Sequence, residues 1–287
     1  MKLFITYFVL TTQMAWSFGH WDTYHVADSY YIYNQADLTP EILAQHILNI
    51  HHGKEPNQKF SALQIATMVI KTAGCFEIDA YYLAGLLKGE SAFKTSATSN
   101  TGARGIAQFT SIALHEVFDQ LGYLDSDHAA QYKYHNEINA GAKGIEYFRD
   151  VVENCFENWT DVWDLPSMKK IKIFHETKVG NNYYYKMNRN ASAKLLEIMT
   201  ADPQLSIIYA AIHLKVTISN KINNNPKAQL KHIFELAIKS YNGSTEYEKK
   251  RLYTNAMNTV SALRSMQTEE ENIGVLAKAS ASAQVQF

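Results

Sequence analysis

Between Asp79 and Glu90 the chain repeats leucine at helical spacing, with Leu83, Leu86 and Leu87 on one stripe and Glu90 at its next place. A helix with such a stripe buries it against other elements. The same stripe carries a carboxylate toward the core. Charged side chains are rarely buried unless they are paired or functional. Desolvation raises a carboxyl pKa and can keep the proton in place near neutral pH, which is the state a general acid needs. The competing reading ends the helix one turn earlier and leaves Glu90 exposed.

The rest of the chain is mostly helical in pattern. Thr39-Pro40 reads as an N-cap followed by proline at the first helical position, and the helix continues through Leu43, Ile47 and Ile50. A second helix is expected from Ser61 to Ala73, stopped by Gly74. Residues 94–109 break the period and are rich in Ser, Thr, Asn and Gly, so they read as a loop or small hairpin. Thr110 then caps a helix with Leu114, Val117, Phe118 and Leu121 on one face. Residues 123–201 are less regular, although Ile138 to Val152 looks helical. Two strong stripes follow, Ile207–Ala211–Leu214–Ile218 and Leu230–Ile233–Phe234–Ala237–Ile238–Tyr241, joined by a polar loop from Asn220 to Pro226. A last helix covers about Thr245 to Met266, and the tail beyond it is expected to be loose.

Composition narrows the class. The chain has 287 residues, with 27 Lys and Arg against 28 Asp and Glu, for a net charge of −1. That balance argues against a dedicated nucleic-acid binder. Apolar residues make up 46% and charged residues 19%, which suits a folded protein with ample core. No apolar run approaches the roughly 20 residues of a spanning helix, so no stable membrane insertion is expected. Residues 1–17 look like an export signal: Lys2, an apolar run from Leu3 to Leu10, and Ala15-Trp16-Ser17 as a small-x-small cleavage site. A buried first helix or a membrane anchor is the alternative. Export would put the protein in the periplasm or outside the cell. Cys75 and Cys155 either bridge or remain two buried thiols.

Around Glu90 the chain reads Gly89-Glu90-Ser91-Ala92-Phe93, followed by Ser99-Asn100-Thr101-Gly102-Ala103-Arg104-Gly105-Ile106-Ala107-Gln108-Phe109. This resembles the Glu-Ser-x-Phe … Ser-x-x-Gly-Ala-x-Gly-x-x-Gln pattern of the soluble lytic transglycosylase family. A second block, Ala237-Ile238-Lys239-Ser240-Tyr241-Asn242-Gly243, looks like that family's Ala-x-x-x-Tyr-Asn-x-Gly motif. Asp202 through Leu214 resembles the helix before it. The resemblance covers about 60–121 and 202–262, and makes 123–201 a candidate insertion. Asn136 to Phe148 offers a second register for the helix placed at 202–214. Two departures stand out: Gly243 follows Asn242 directly, and Ala107 replaces a bulkier apolar residue.

The resemblance implies a mainly α, lysozyme-like α+β fold: a helical catalytic domain with a small irregular or β hairpin region and an inserted segment. Its limits would be a signal at 1–17, an N-terminal extension at 18–59, the domain at 60–265 and a flexible tail at 266–287. It further implies an enzyme that acts on peptidoglycan glycan strands without a cofactor. Glu90 would protonate the glycosidic oxygen leaving the muramic acid C1, then act as base. Ser91 would hydrogen-bond substrate or orient the carboxyl; the alternative is a helix-terminal serine bonded to backbone. Gln108 would bind polar groups of the substrate, and Gly102 and Gly105 would permit tight turns beside it. Tyr241 would bond near the acid, and Asn242 would cap its helix or touch the sugar.

Hydrolysis and the lytic route both stay open. No Asp or Glu lies between Ser91 and His115, whereas two-carboxylate glycosidases need a second acid across the scissile bond. A single acid suits the lytic route, in which the substrate's own C6 hydroxyl attacks C1 and closes a 1,6-anhydro ring. Acids in the insertion, such as Asp161, Asp164 and Glu176, keep a lysozyme-type hydrolase in play. A non-catalytic wall-binding protein is the alternative from another class. Trp159, Trp163 and Tyr183–Tyr185 are read as core, or else as a sugar platform. Lys169, Lys170 and Lys172 are read as a solvated face, or else as a site for acidic polymers. No His-Glu-x-x-His, zinc-spaced Cys/His cluster, phosphate loop or dinucleotide fingerprint occurs, so no metal is expected. His51-His52 is expected to be exposed at a helix end.

Overall fold

The computed structural model describes residues 38–111, 113–114, 151, 154–156, 174–179, 182–187, 189–225, 227–241 and 245–284. Among them are helices α1 (Pro40–Ile50), α2 (Ala62–Cys75) and α3 (Ala80–Ser91), strands β1 (Phe174–Val179) and β2 (Asn182–Met187), and helices α4 (Arg189–Ala201), α5 (Pro203–Asn224), α6 (Leu230–Tyr241) and α7 (Glu246–Gln284). The molecule is therefore mostly helical, as the patterns imply. The strands pair antiparallel, from Phe174 opposite Met187 to Val179 opposite Asn182. The export signal, Val117, Phe118, Leu121, the segment 138–150, Trp159, Trp163 and the lysines at 169–172 lie outside the described residues.

Helix starts follow local chemistry. Thr39 accepts a hydrogen bond from the Ile42 amide at 3.3 Å, with Pro40 as the first helical residue. Ser61 and Gln64 close a reciprocal capping box on α2. Helix ends depart from the reading. α2 runs past Gly74 to Cys75, and its left-handed residue is Glu77, with φ 51°. There the Ile78 amide bonds the Ala73 carbonyl and the Glu77 amide bonds that of Gly74. The fully buried Lys215 side chain adds a hydrogen bond to the Glu77 carbonyl at 3.5 Å, so tertiary contact substitutes for glycine. α5 continues to Asn224, through most of the expected polar loop. α7 continues past Met266 to Gln284 over a stretch rich in Glu and Ala, residues that favour helix without an apolar stripe.

α3 is the central helix. Tyr82, Leu83, Leu86 and Leu87 are all buried, alongside Ile207 to Ile212 of α5 and Ile233, Phe234, Ala237 and Ile238 of α6. Tyr82 stacks on Phe234 with centroids 4.4 Å apart. α7 lies antiparallel along α3. Asp79, the N-cap of α3, meets Arg264 at 3.5 Å, and Lys88 reaches Asn255 at the same distance. Gly85 and Gly89 make this approach possible: a Cβ on Gly85 would stand 2.7 Å from the Ala256 carbonyl, and one on Gly89 would stand 2.5 Å from Leu252 Cδ1. A disulfide joins Cys75 at the end of α2 to Cys155, the bridged state of the two cysteines.

Candidate active site

Glu90 is the penultimate residue of α3 and is half-buried, with protein atoms crowding its carboxyl. Burial pushes that carboxyl up to about 8, and the Arg251 guanidinium on α7 pulls weakly the other way. Glu90 therefore keeps its proton at neutral pH. Arg251 follows from the register of α7 on α3: the position next to Leu252, which covers Gly89, faces Glu90.

Tyr241 closes α6. Its hydroxyl is buried and has no hydrogen-bond partner among the described residues, and its ring meets that of His213 edge-on at 4.8 Å. Burial, and after it the charge on Glu90, holds the phenol well above its ordinary range. The two groups are thus electrostatic neighbours although α3 and α6 are far apart in sequence. An unpaired buried hydroxyl is rare in a finished core and marks a place where something else can bond.

On the other flank the Ser91 hydroxyl and the Gln108 amide hydrogens are already paired. The Ser91 hydroxyl donates to the Ile106 carbonyl at 2.6 Å and lies 3.3 Å from that of Leu87. It ties the end of α3 to the 97–109 segment. Gln108, at φ 50°, donates both amide hydrogens inward, to the Ala97 carbonyl at 3.1 Å and the Gly105 carbonyl at 2.9 Å. Only its Oε1 is left to face a ligand. The segment is a compact turn rather than a regular hairpin, with single bridges Thr98–Arg104 and Arg104–Phe109. Gly105, at φ 79°, is needed for its backbone and for space, since a Cβ would come 3.3 Å from Ser206 Oγ. Gly102, at φ 84°, has open space around it and is needed for backbone shape alone. Asn242 lies outside the described residues.

His51 and Asn57 join this neighbourhood from the N-terminal side. His51 is half-buried rather than exposed, because its Nε2 bonds the Ala92 carbonyl at 2.7 Å. Asn57 donates to the Phe93 carbonyl at 3.2 Å. Ala92 and Phe93 are both left-handed, at φ 52° and 63°, which costs each non-glycine residue about 1–2 kcal/mol. No local pattern announces these contacts, which span tens of residues. Among the described residues no group of three His, Cys, Asp or Glu side chains is placed to hold a metal ion, and no helix is long and apolar enough to cross a membrane.

Residues 67–163 match the family model described as Transglycosylase SLT domain, so the resemblance to the lysozyme-like transglycosylases is shown over about a third of the chain. The match contains Glu90, Ser91 and Gln108 and ends before Tyr241. It also takes in the first part of the 123–201 stretch, including Asn136 to Phe148. No curated protein and no solved structure matches the chain.

Proposed function

We propose that this protein cleaves the β-1,4 bond between N-acetylmuramic acid and N-acetylglucosamine in peptidoglycan, as a lytic transglycosylase that leaves 1,6-anhydro ends. The observation that carries the proposal is Glu90, crowded so that its carboxyl is pushed up to about 8 within the segment that matches the transglycosylase domain, and coupled to the buried Tyr241 hydroxyl that lies beyond that segment. Glu90 gives its proton to the departing sugar oxygen. The resulting carboxylate then takes the proton of the muramic acid C6 hydroxyl as that oxygen closes on C1. The Tyr241 hydroxyl donates to a substrate oxygen or to the new carboxylate. Ser91 and Gln108 shape the wall of the cleft, and Asn242 contributes a sugar contact.

The lytic route is supported over hydrolysis by the sequence beside Glu90: no Asp or Glu occurs from Ser91 to His115, whereas a two-carboxylate mechanism needs a second acid roughly 5–9.5 Å away across the scissile bond. The Cys75–Cys155 disulfide suits an oxidising compartment, in keeping with action in the periplasm or outside the cell.

Mass spectrometry of digested sacculi tests the reading. Anhydro-muramic ends are expected; reducing muramic ends alone would make the protein a hydrolytic lysozyme. Release of no soluble fragments, with binding to sacculi retained, would make it a non-catalytic wall-binding protein.

A further inference from the structure

The chain reversal that follows Glu90 is held from outside the matched family segment. Ala92 and Phe93 stand one after the other in the left-handed region although neither is glycine. The Ala92 carbonyl accepts a hydrogen bond from His51 Nε2 at 2.7 Å, and the Phe93 carbonyl accepts one from Asn57 Nδ2 at 3.2 Å. Asn57 Oδ1 in turn accepts from the Thr95 amide at 2.7 Å and the Thr95 hydroxyl at 3.0 Å. Asn57 thus clamps the downstream arm of the reversal, from Phe93 to Thr95, while His51 holds Ala92. Phe93 and Thr95 are buried, which pins the far end of the turn in the core.

We propose that His51 and Asn57 are positioning residues, which lock the left-handed Ala92–Phe93 reversal and thereby fix the last turn of α3 that aims Glu90. The proposal rests on the reading of Glu90 as the general acid. It makes the helix and loop at 40–61 part of the catalytic unit, although the family match begins at residue 67.

The physical reason is strain. A left-handed pair of non-glycine residues persists only where its surroundings over-determine it. The Ala92 amide also closes α3 on the Lys88 carbonyl at 2.9 Å, so relaxation of Ala92 unwinds the turn from 88 to 91 that carries Glu90. His51 is itself directed by its backbone: it caps α1, and the next residue, His52, is left-handed at φ 54°. Displacement of a reacting group by about 1 Å is enough to cost on the order of 100-fold in turnover.

The test uses the full chain with its disulfide intact. His51→Phe removes the donor, while His51→Gln presents an amide N–H from nearly the same place. The expected result is a fall in kcat for fragment release of roughly 10- to 100-fold in His51→Phe, with KM little changed, and recovery of most of it in His51→Gln. The Glu90 carboxyl, followed by its own NMR titration, should drift toward the ordinary carboxyl range in His51→Phe and hold its place in His51→Gln. Ala92→Gly, which removes the strain, should shrink the loss caused by His51→Phe. Parent-like kcat and parent-like Glu90 titration in His51→Phe would overturn the proposal, as would a loss that glutamine does not restore. Should His51→Phe fail to fold, Asn57→Asp replaces it, since it keeps the acceptor for Thr95, drops the donor to Phe93, and is expected to shift kcat and titration in the same direction. If the parent releases no fragments, the reading of Glu90 as an acid falls on its own. A displaced Glu90 titration in His51→Phe would still uphold the brace.

Discussion

The two flanks of the candidate site use the same kinds of polar group in opposite ways. On the α3–α6 flank, Glu90 is crowded enough to keep its proton and the Tyr241 hydroxyl is buried without a partner. On the 97–109 flank, the Ser91 hydroxyl and both amide hydrogens of Gln108 are spent on backbone carbonyls. A folded chain leaves buried polar groups unpaired at a cost, which is the ground for proposing the α3–α6 flank as the one that meets a ligand. The paired flank holds shape. The family motifs treat all four residues alike, whereas the hydrogen bonds set Ser91 and the Gln108 amide apart as groups that hold backbone, and the proposal assigns the chemistry to Glu90 and Tyr241.

The sharpest way to break this contrast is Glu90→Gln. Loss of fragment release by roughly 10²–10⁴-fold is expected, measured on purified sacculi. The same variant reports on stability. Folding raises the pKa of Glu90 from 4.5 to about 8, so the native state holds a proton that the unfolded chain has lost across that interval. Parent stability therefore declines from pH 4.5 to 8 on account of Glu90. The glutamine variant should match the parent below 4.5 and exceed it by on the order of 2–4 kcal/mol above 8, read from urea unfolding at each pH.

Tyr241→Phe removes a hydroxyl that has no partner among the described residues. Stability should hold or rise slightly, while turnover falls about 10- to 100-fold, the value of one hydrogen bond to a charged group. Ser91→Ala should give the reverse pattern. It leaves the Ile106 carbonyl short of a donor, so stability should drop by about 1 kcal/mol, with turnover per folded molecule changed far less than in Tyr241→Phe. A Ser91 variant that loses activity as steeply as Tyr241→Phe at unchanged stability would erase the distinction between the flanks. Arg251→Met should have the smallest effect. Loss of the cation lets the Glu90 carboxyl rise further, so the alkaline limb of the pH–rate profile should move upward by less than about one unit.

Much of this was legible in the residues because local physics decided it. Thr39-Pro40, the Asp79 start, the Leu83–Glu90 stripe and the Leu230–Tyr241 stripe are each written within one or two turns, and each became the element expected. The helix ends were less legible. Gly74 carries a stop signal that the chain passes, since Glu77 takes the left-handed place and Lys215 braces it from α5. Arg251, His51 and Asn57 were invisible for the same reason. Their roles arise from how α7 and the 51–61 loop pack on α3, and no spacing within a single helix encodes that. The glycines at 85 and 89 hold a readable trace, because two small residues one turn apart on a leucine-rich helix leave a groove for a neighbouring helix.

The account stands on the proton held by Glu90. Carbon-13 NMR of the Glu90 side-chain carboxyl, titrated in the intact protein with Glu90→Gln to assign the resonance, measures it directly. A midpoint near 8 is expected. A midpoint near 4.5 would show a solvated carboxylate, already ionised at neutral pH, and would contradict its role as the acid.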